Sequence, residues 1–98
     1  MTLPPHGLSR RDIEYLVALV TGFDSGWHQA GDVPVCPHER GARRAARRLA
    51  GHGMTETARG GHTERRYRED LLLVRATDLG RAYVAWLTTQ HNTQNAAK

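Results

Sequence analysis

The alternation of apolar and polar positions near the start of the chain predicts a first helix over residues 9–21. Apolar side chains recur there at i, i+3, i+4 and i+7, the spacing of one helical face: Ile13, Leu16, Val17 and Val20. Ser9 is the predicted N-cap, and Asp12 follows at the spacing of a capping box. Gly22 is the predicted stop. Residues 1–8, with two prolines and a glycine, are expected to form a loosely packed lead.

A second helix is predicted over residues 38–51, with two faces of opposite character. Its apolar stripe consists of Ala42, Ala45, Ala46 and Leu49. At about 100° per residue, the opposite side carries Arg40, Arg44, Arg47 and Arg48, with Arg43 on the flank. Gly53 is predicted to end the helix as a left-handed C′ residue, with a contact between Leu49 and Met54 beside it.

The segment between these helices, residues 22–37, is interrupted by three glycines and two prolines. It has room for at most one short helical turn around Trp27–Val33. We expect Phe23 and Trp27 to fill the core rather than to form an aromatic binding site.

The second half of the chain predicts a β-hairpin followed by a third helix. Met54–Arg59 and Leu71–Ala76 read as strands joined through Gly60 and Gly61. Thr77 is the predicted N-cap of a helix over 78–90. Its apolar positions are Leu79, Ala82, Tyr83, Trp86 and Leu87. Residues 91–98 are expected to form a polar tail, which leaves one α+β domain over 9–90.

Composition limits the classes of function. With 98 residues and 39% apolar residues, the chain can bury one modest core and has little material for a deep enzyme cleft. Cys36 is the only cysteine, so no intrachain disulfide can form, and a reducing cytoplasm is expected. The sequence contains neither an apolar run of membrane-spanning length nor the pattern of a signal peptide, so no membrane association is expected.

Positive charge is concentrated in the middle of the chain. Residues 40–68 carry a net charge of +7, whereas the remaining residues sum to −3. A clustered basic region favours nucleic acid or another polyanion as the partner. Thirteen of the 14 cations are arginine, which a GC-rich genome would also encode, so an ordinary solvated helix face is the alternative.

No pattern predicts catalysis or a cofactor. Cys36 and the scattered histidines, among them His28, His38, His52 and His62, do not match the paired ligand spacing of a zinc site. The chain has no phosphate-binding loop and no nucleophile in a known motif. We therefore expect a protein that is not an enzyme and that binds no metal and no cofactor.

The order and spacing of these elements resemble a winged helix–turn–helix domain. The stretch "RRAARRLAGHGMTETARGGHTERRYREDLLLVRATDLGRAYVAWL", from Arg43 to Leu87, is similar to the second half of MarR-like and related small bacterial or phage regulators. Three motifs carry the resemblance: "RRLAGHGMTE", the arginine-rich hairpin, and "RATDLGRAYVAWL" with its Thr-x-x-Gly-Arg junction.

The resemblance implies that the helix before the hairpin enters the major groove of double-stranded DNA and that the hairpin, or wing, contacts the backbone or the minor groove. The implied DNA-binding residues of the helix are Arg40, Arg43, Arg44, Arg47 and Arg48. Those of the wing are Arg59, His62, Arg65, Arg66 and Arg68. In related proteins a terminal helix can also form a homodimer interface, which would involve Tyr83 and Trp86.

The sequence departs from this family between the first two helices. "GWHQAGDVPVC" is short and contains a proline, which does not suit a full bracing helix, so helix 2 is either about one turn or replaced by a loop. We expect a DNA-binding transcriptional regulator or accessory factor, of a size that suits a phage or mobile element. The alternative is a winged helix that binds and modulates a partner or host protein.

Overall fold

The computed structural model describes residues 8–35, 38–60 and 71–96, with the backbone alone at Glu39 and at 91–96. Its α-helices within this part are α1 (Arg10–Gly22), α2 (Glu39–Gly51) and α3 (Asp78–Ala96). The described strands are β1 (His28–Gln29), β2 (Thr55–Arg59) and β3 (Leu72–Ala76), and a 3-10 turn, η1 (Ala30–Asp32), follows β1. Outside the described residues lie 1–7 of the predicted lead at 1–8, then 36–37, the hairpin tip at 61–70, and 97–98 of the predicted tail.

Helix α1 begins as predicted, and its predicted apolar face is confirmed in part. Ser9 and Asp12 form a capping box, in which the Asp12 amide donates to Ser9 Oγ at 3.2 Å and the Ser9 amide donates to Asp12 Oδ2 at 3.0 Å. Within the predicted stripe Leu16 is fully buried, and the other three residues are partly buried and pack against the core: Ile13, Val17 and Val20. The buried residues of the helix are Asp12, Tyr15, Leu16 and Leu19, so the most buried face is rotated from the predicted one.

Polar groups explain this rotation of α1. The Tyr15 hydroxyl donates to the Ala30 carbonyl oxygen at 2.7 Å, so the phenol is satisfied inside the core. Asp12 is 3% exposed and accepts a hydrogen bond from the Ser9 backbone. Burying a polar group costs little stability when the group has a hydrogen-bond partner. The spacing of apolar residues in the sequence does not show such partners.

The sheet has three strands where the sequence predicted a two-stranded hairpin. The strand order is β1-β3-β2, and both pairings are antiparallel. β2 and β3 are the predicted strands, with Thr57 opposite Val74. β1 was missed: it pairs His28 with Val74 and Gln29 with Leu73. The short helical turn predicted around Trp27–Val33 is present as η1. The architecture is α+β and consistent with a winged helix.

The junction between α2, β2 and α3 follows its prediction closely. The Met54 amide donates to the Leu49 carbonyl at 2.9 Å and the Gly53 amide to the Ala50 carbonyl at 3.0 Å, the two bonds of a Schellman cap. Gly53 has a φ of 75°, the left-handed conformation that glycine adopts without strain. Leu49 and Met54 are both buried beside the cap, as predicted.

Thr77 joins this cap to α3. Its hydroxyl accepts a hydrogen bond from the Gly80 amide at 3.1 Å, which is the predicted N-cap contact, and donates to the Gly53 carbonyl at 2.6 Å. The Thr77 amide donates to the Met54 carbonyl at 3.1 Å. A Cβ built on Gly80 would overlap the Met54 carbonyl oxygen, so only glycine permits this close approach.

The close approach at Gly80 also sets which face of α3 is buried. Tyr83 and Val84 are buried, whereas Leu79 is 46% exposed and Ala82 lies at the surface, so the predicted apolar stripe was partly wrong. The helix continues to Ala96, beyond the predicted end at residue 90.

The core lies between α1, α2, α3 and the inner face of the sheet. Phe23 packs against it as a partly buried side chain, in agreement with its prediction. Trp27 does not, which corrects the prediction for that residue. Its ring lies under the guanidinium of Arg75, 4.5 Å from Cζ to the ring centroid.

Candidate nucleic-acid interface

The two faces of α2 are divided as the sequence predicted. Ala42, Ala45, Ala46 and Leu49 are at most 2% exposed, and their small side chains let the helix pack closely on α1 and β2. The arginines at 40, 44, 47 and 48 are exposed, and Arg43 at the flank is half-buried. The helix therefore presents a band of guanidinium groups to solvent along its full length.

These arginines line one surface depression. Arg40, Arg43, Arg44, Arg47 and Arg48 together enclose a volume of about 500 Å³. All five lining residues are cationic, so the depression is positively charged.

A second, smaller depression connects α2 with the sheet. It has a volume of about 230 Å³ and is lined by Arg43, Arg47, Arg59, Leu71 and Leu72. Arg43 and Arg47 belong to both depressions, so the basic surface continues from α2 onto the end of β2. Arg59 is thus the one predicted wing residue that the described residues bring together with α2. The predictions for His62, Arg65, Arg66 and Arg68 lie outside the described residues.

The charges on α2 are compensated unevenly. In the described part of the chain, no carboxylate lies within ion-pairing distance of Arg40, Arg44 or Arg47. Arg48 differs, because its Nη1 lies 3.4 Å from Oδ2 of Asp12, whose side chain is 4% exposed. The sequence offered no signal for this pair, since its members are 36 residues apart.

Arg75 on β3 shows what a compensated arginine looks like in this fold. It donates to Glu56 Oε2 from Nε at 3.0 Å and from Nη2 at 2.7 Å, and it stacks on Trp27. Its charge is neutralised within the protein by Glu56. Arg40, Arg44 and Arg47 have no such acidic neighbour among the side chains that the structure describes.

The two residues predicted for a dimer interface differ in exposure. Tyr83 is fully buried, and burial raises the pKa of its phenol above the usual 10.0. Trp86 is half-buried beside it, with 5.8 Å between the ring centroids. Of the two, only Trp86 is accessible to a second copy of the chain, and the homodimer stays a prediction.

The described residues contain neither a candidate metal site nor a candidate membrane-spanning helix. Within residues 8–35, 38–60 and 71–96, no group of three or more His, Cys, Asp or Glu side chains is placed to hold a metal ion. In the same part of the chain, no helix has both the length and the apolar character to cross a bilayer.

Comparison with known proteins finds likeness at the level of structure. No protein-family model matches the chain, and no curated protein sequence matches it significantly. Among solved structures, it is similar to BpsR of Bordetella bronchiseptica, a protein whose DNA binding is regulated by 6-hydroxynicotinic acid. The TM-score is 0.64 at 23% identity, over 95% of this chain and 64% of that one. The chain therefore spans less than two thirds of BpsR and shares its fold over almost its own full length.

Proposed function

We propose that this protein is a winged helix that binds double-stranded DNA and acts as a transcriptional regulator or an accessory DNA-binding factor. The observation that carries the proposal is the exposed arginine face of α2, with Arg40, Arg44 and Arg47 unmatched by any described carboxylate. The likeness in fold to BpsR, which binds DNA, supports the same class of function.

The geometry suits a duplex. The major groove of B-DNA is about 12 Å wide and admits one α-helix, whose diameter with side chains is about 10–12 Å. With the apolar face of α2 against the core, the opposite face is free to enter the groove. The depression shared by Arg43, Arg47 and Arg59 would then lie against a phosphate backbone, which arginine binds with its planar fork of donors.

The test is fluorescence anisotropy of a labelled mixed-sequence duplex with wild type and a charge-reversed variant. Arg44→Glu with Arg47→Glu is expected to abolish binding and to leave the fold intact, because both side chains are exposed. The matched control is Arg10→Glu with Arg81→Glu, which makes the same change in net charge on α1 and α3. Equal affinity of the two variants would contradict the placement of the interface on α2.

One observation favours a second candidate, a winged helix that binds and modulates a partner protein. The segment where a bracing helix would stand before α2 is reduced to β1 and η1 in the described residues. This candidate predicts no DNA binding by wild type even at low salt. It also predicts that the Arg44→Glu, Arg47→Glu variant loses a protein partner that the control variant retains in a pull-down.

A further inference from the structure

We infer that α2 recognises guanine in preference to the other bases, through the guanidinium groups of Arg40 and Arg44. The inference rests on the proposed DNA-binding function and names the class of DNA that this function would select.

The residue types on α2 limit what it can read. Arginine pairs in two-point fashion with O6 and N7 of guanine, whereas adenine is read by Asn or Gln. Helix α2 contains no Asn, Gln, Ser or Thr. A thymine methyl group is read by apolar contact, but the alanines at 42, 45 and 46 are buried against the core. Guanine is therefore the base whose edge matches the exposed side chains.

Glu39 does not change this conclusion. It is the one acidic residue in the sequence of α2 and precedes Arg40 directly. A carboxylate in the major groove accepts from N4 of cytosine, the partner of guanine. Any contact it made would select the same base pair.

The position of each arginine separates the residues that read bases from those that bind phosphate. A recognition helix contacts base edges mainly through its N-terminal residues. Arg40 and Arg44 lie one turn apart in the first half of α2, and both are exposed without a described acidic partner. Arg43 and Arg47 line the smaller depression together with Arg59 on the sheet, a position that suits contact with the phosphate backbone of DNA. Arg48 is paired with Asp12.

The test compares three duplexes of equal length by competition anisotropy: one rich in G·C pairs, one made of A·T pairs, and the G·C duplex with 7-deazaguanine in place of guanine. The 7-deaza base keeps Watson–Crick pairing and charge but lacks the N7 acceptor. We expect the unmodified G·C duplex to bind at least about fivefold more tightly than either of the others, the lower end for one two-point contact. Equal affinity for all three would overturn the inference.

A fourth duplex, with inosine in place of guanine, controls for the groove. Inosine keeps O6 and N7 in the major groove and lacks only the amino group in the minor groove. We expect its affinity to match that of the G·C duplex. Weaker binding to inosine with undiminished binding to 7-deazaguanine would place recognition in the minor groove and contradict the assignment to α2.

Three lysine variants assign the base recognition to individual residues. Lysine keeps the positive charge but loses the planar fork. Arg44→Lys is expected to lose most of the preference for guanine over 7-deazaguanine, while Arg47→Lys keeps it. Retention of the full preference by both Arg44→Lys and Arg40→Lys would overturn the assignment. Absence of binding to every duplex at low salt would refute the proposed DNA-binding function together with this inference, whereas binding without base preference would refute the inference alone.

Discussion

The two ends of α2 are built in opposite ways. At its C-terminus the helix closes with a Schellman cap whose glycine is bonded to Thr77 at the start of α3. At its N-terminus His38 provides no side-chain cap, and the preceding connection consists of β1, η1 and a loop. One end is fixed by several bonds to the core, and the other presents its first turn to the surroundings.

This difference teaches how a small domain can hold a recognition surface. The fixed end sets the direction of the helix, and the Thr55 hydroxyl adds a buried hydrogen bond of 2.9 Å to the Ala46 carbonyl at its middle. The N-terminal half packs on the core through the buried Ala42 and Ala45. Its uncapped amides and the positive end of the helix dipole favour an anion there, in addition to the charge of Arg40 and Arg44.

The strongest way to break the fixed end is Gly80→Ala. The new methyl group would overlap the Met54 carbonyl, so the backbone of α3 or of the α2 cap must shift. We expect the free energy of unfolding to fall by about 3 kcal/mol, at the upper end for overpacking. Urea denaturation followed by circular dichroism measures this.

Gly51→Ala is the matched control for that substitution. Gly51 is the last residue of α2, and nothing lies within 4 Å of a Cβ built on it. Alanine there is expected to be neutral or to stabilise the protein by up to about 1 kcal/mol. Similar losses in the two variants would show that the close approach at Gly80 is not what fixes the junction.

Removing the Thr77 hydroxyl weakens the same end more gently. Thr77→Val deletes both the bond to the Gly53 carbonyl and the N-cap of α3, so we expect a loss of about 1–2 kcal/mol in the free energy of unfolding. Thr77→Ser keeps the hydroxyl and should lose much less. If serine were as harmful as valine, the methyl group rather than the hydrogen bonds would be what matters.

Arginines 44 and 48 allow the two roles of α2 to be separated. Arg48→Ala is expected to lower the free energy of unfolding by about 1 kcal/mol, because it removes an ion-pair partner of the buried Asp12. Arg44→Ala should leave stability unchanged and weaken binding to a G·C duplex by about 1–3 kcal/mol, the cost of losing a two-point contact with guanine. The reverse pattern would contradict the assignment of Arg48 to the core.

The smallest expected effect on stability is that of Tyr83→Phe in α3. The Tyr83 hydroxyl is buried and has no hydrogen-bond partner in the described part of the chain. Its removal is expected to leave stability at neutral pH unchanged or to raise it by about 1 kcal/mol or less.

The same variant has a characteristic pH dependence. Burial raises the pKa of Tyr83, so below pH 10 the phenol is neutral in both states, and as pH rises further the unfolded state loses its proton first. The wild type should therefore lose stability above about pH 10 relative to Tyr83→Phe. A constant difference between the two proteins from pH 7 to pH 11 would contradict this account.

The same contrast explains which features the sequence predicts. Gly53, Leu49 and Met54 act through neighbours in the chain, so their spacing was enough to predict the cap, and the regular alternation of Ala and Arg predicted both faces of α2. By comparison, β1 is two residues long, too short to show any alternation, and its pairing with β3 depends on residues more than 40 positions away. The rotation of α1 depends likewise on the distant partner of Tyr15, Ala30.

The candidate site divides in the same way. The exposure of Arg40, Arg44 and Arg47 followed from helical periodicity, whereas the pairing of Arg48 with Asp12 and of Arg75 with Glu56 required the folded chain. Sequence spacing identifies which charges share a helical face, but it does not identify which of them are neutralised from another element.

The measurement that tests the central claim most directly is the affinity of the wild-type protein for a mixed-sequence duplex across a salt series. If Arg43, Arg47 and Arg59 contact phosphates, binding should be micromolar or tighter at low salt. The logarithm of the association constant should then fall with the logarithm of salt concentration at a slope of about −3, since each phosphate contact contributes about −0.9. No binding at low salt, or a slope near zero, would contradict the proposal that this surface binds DNA.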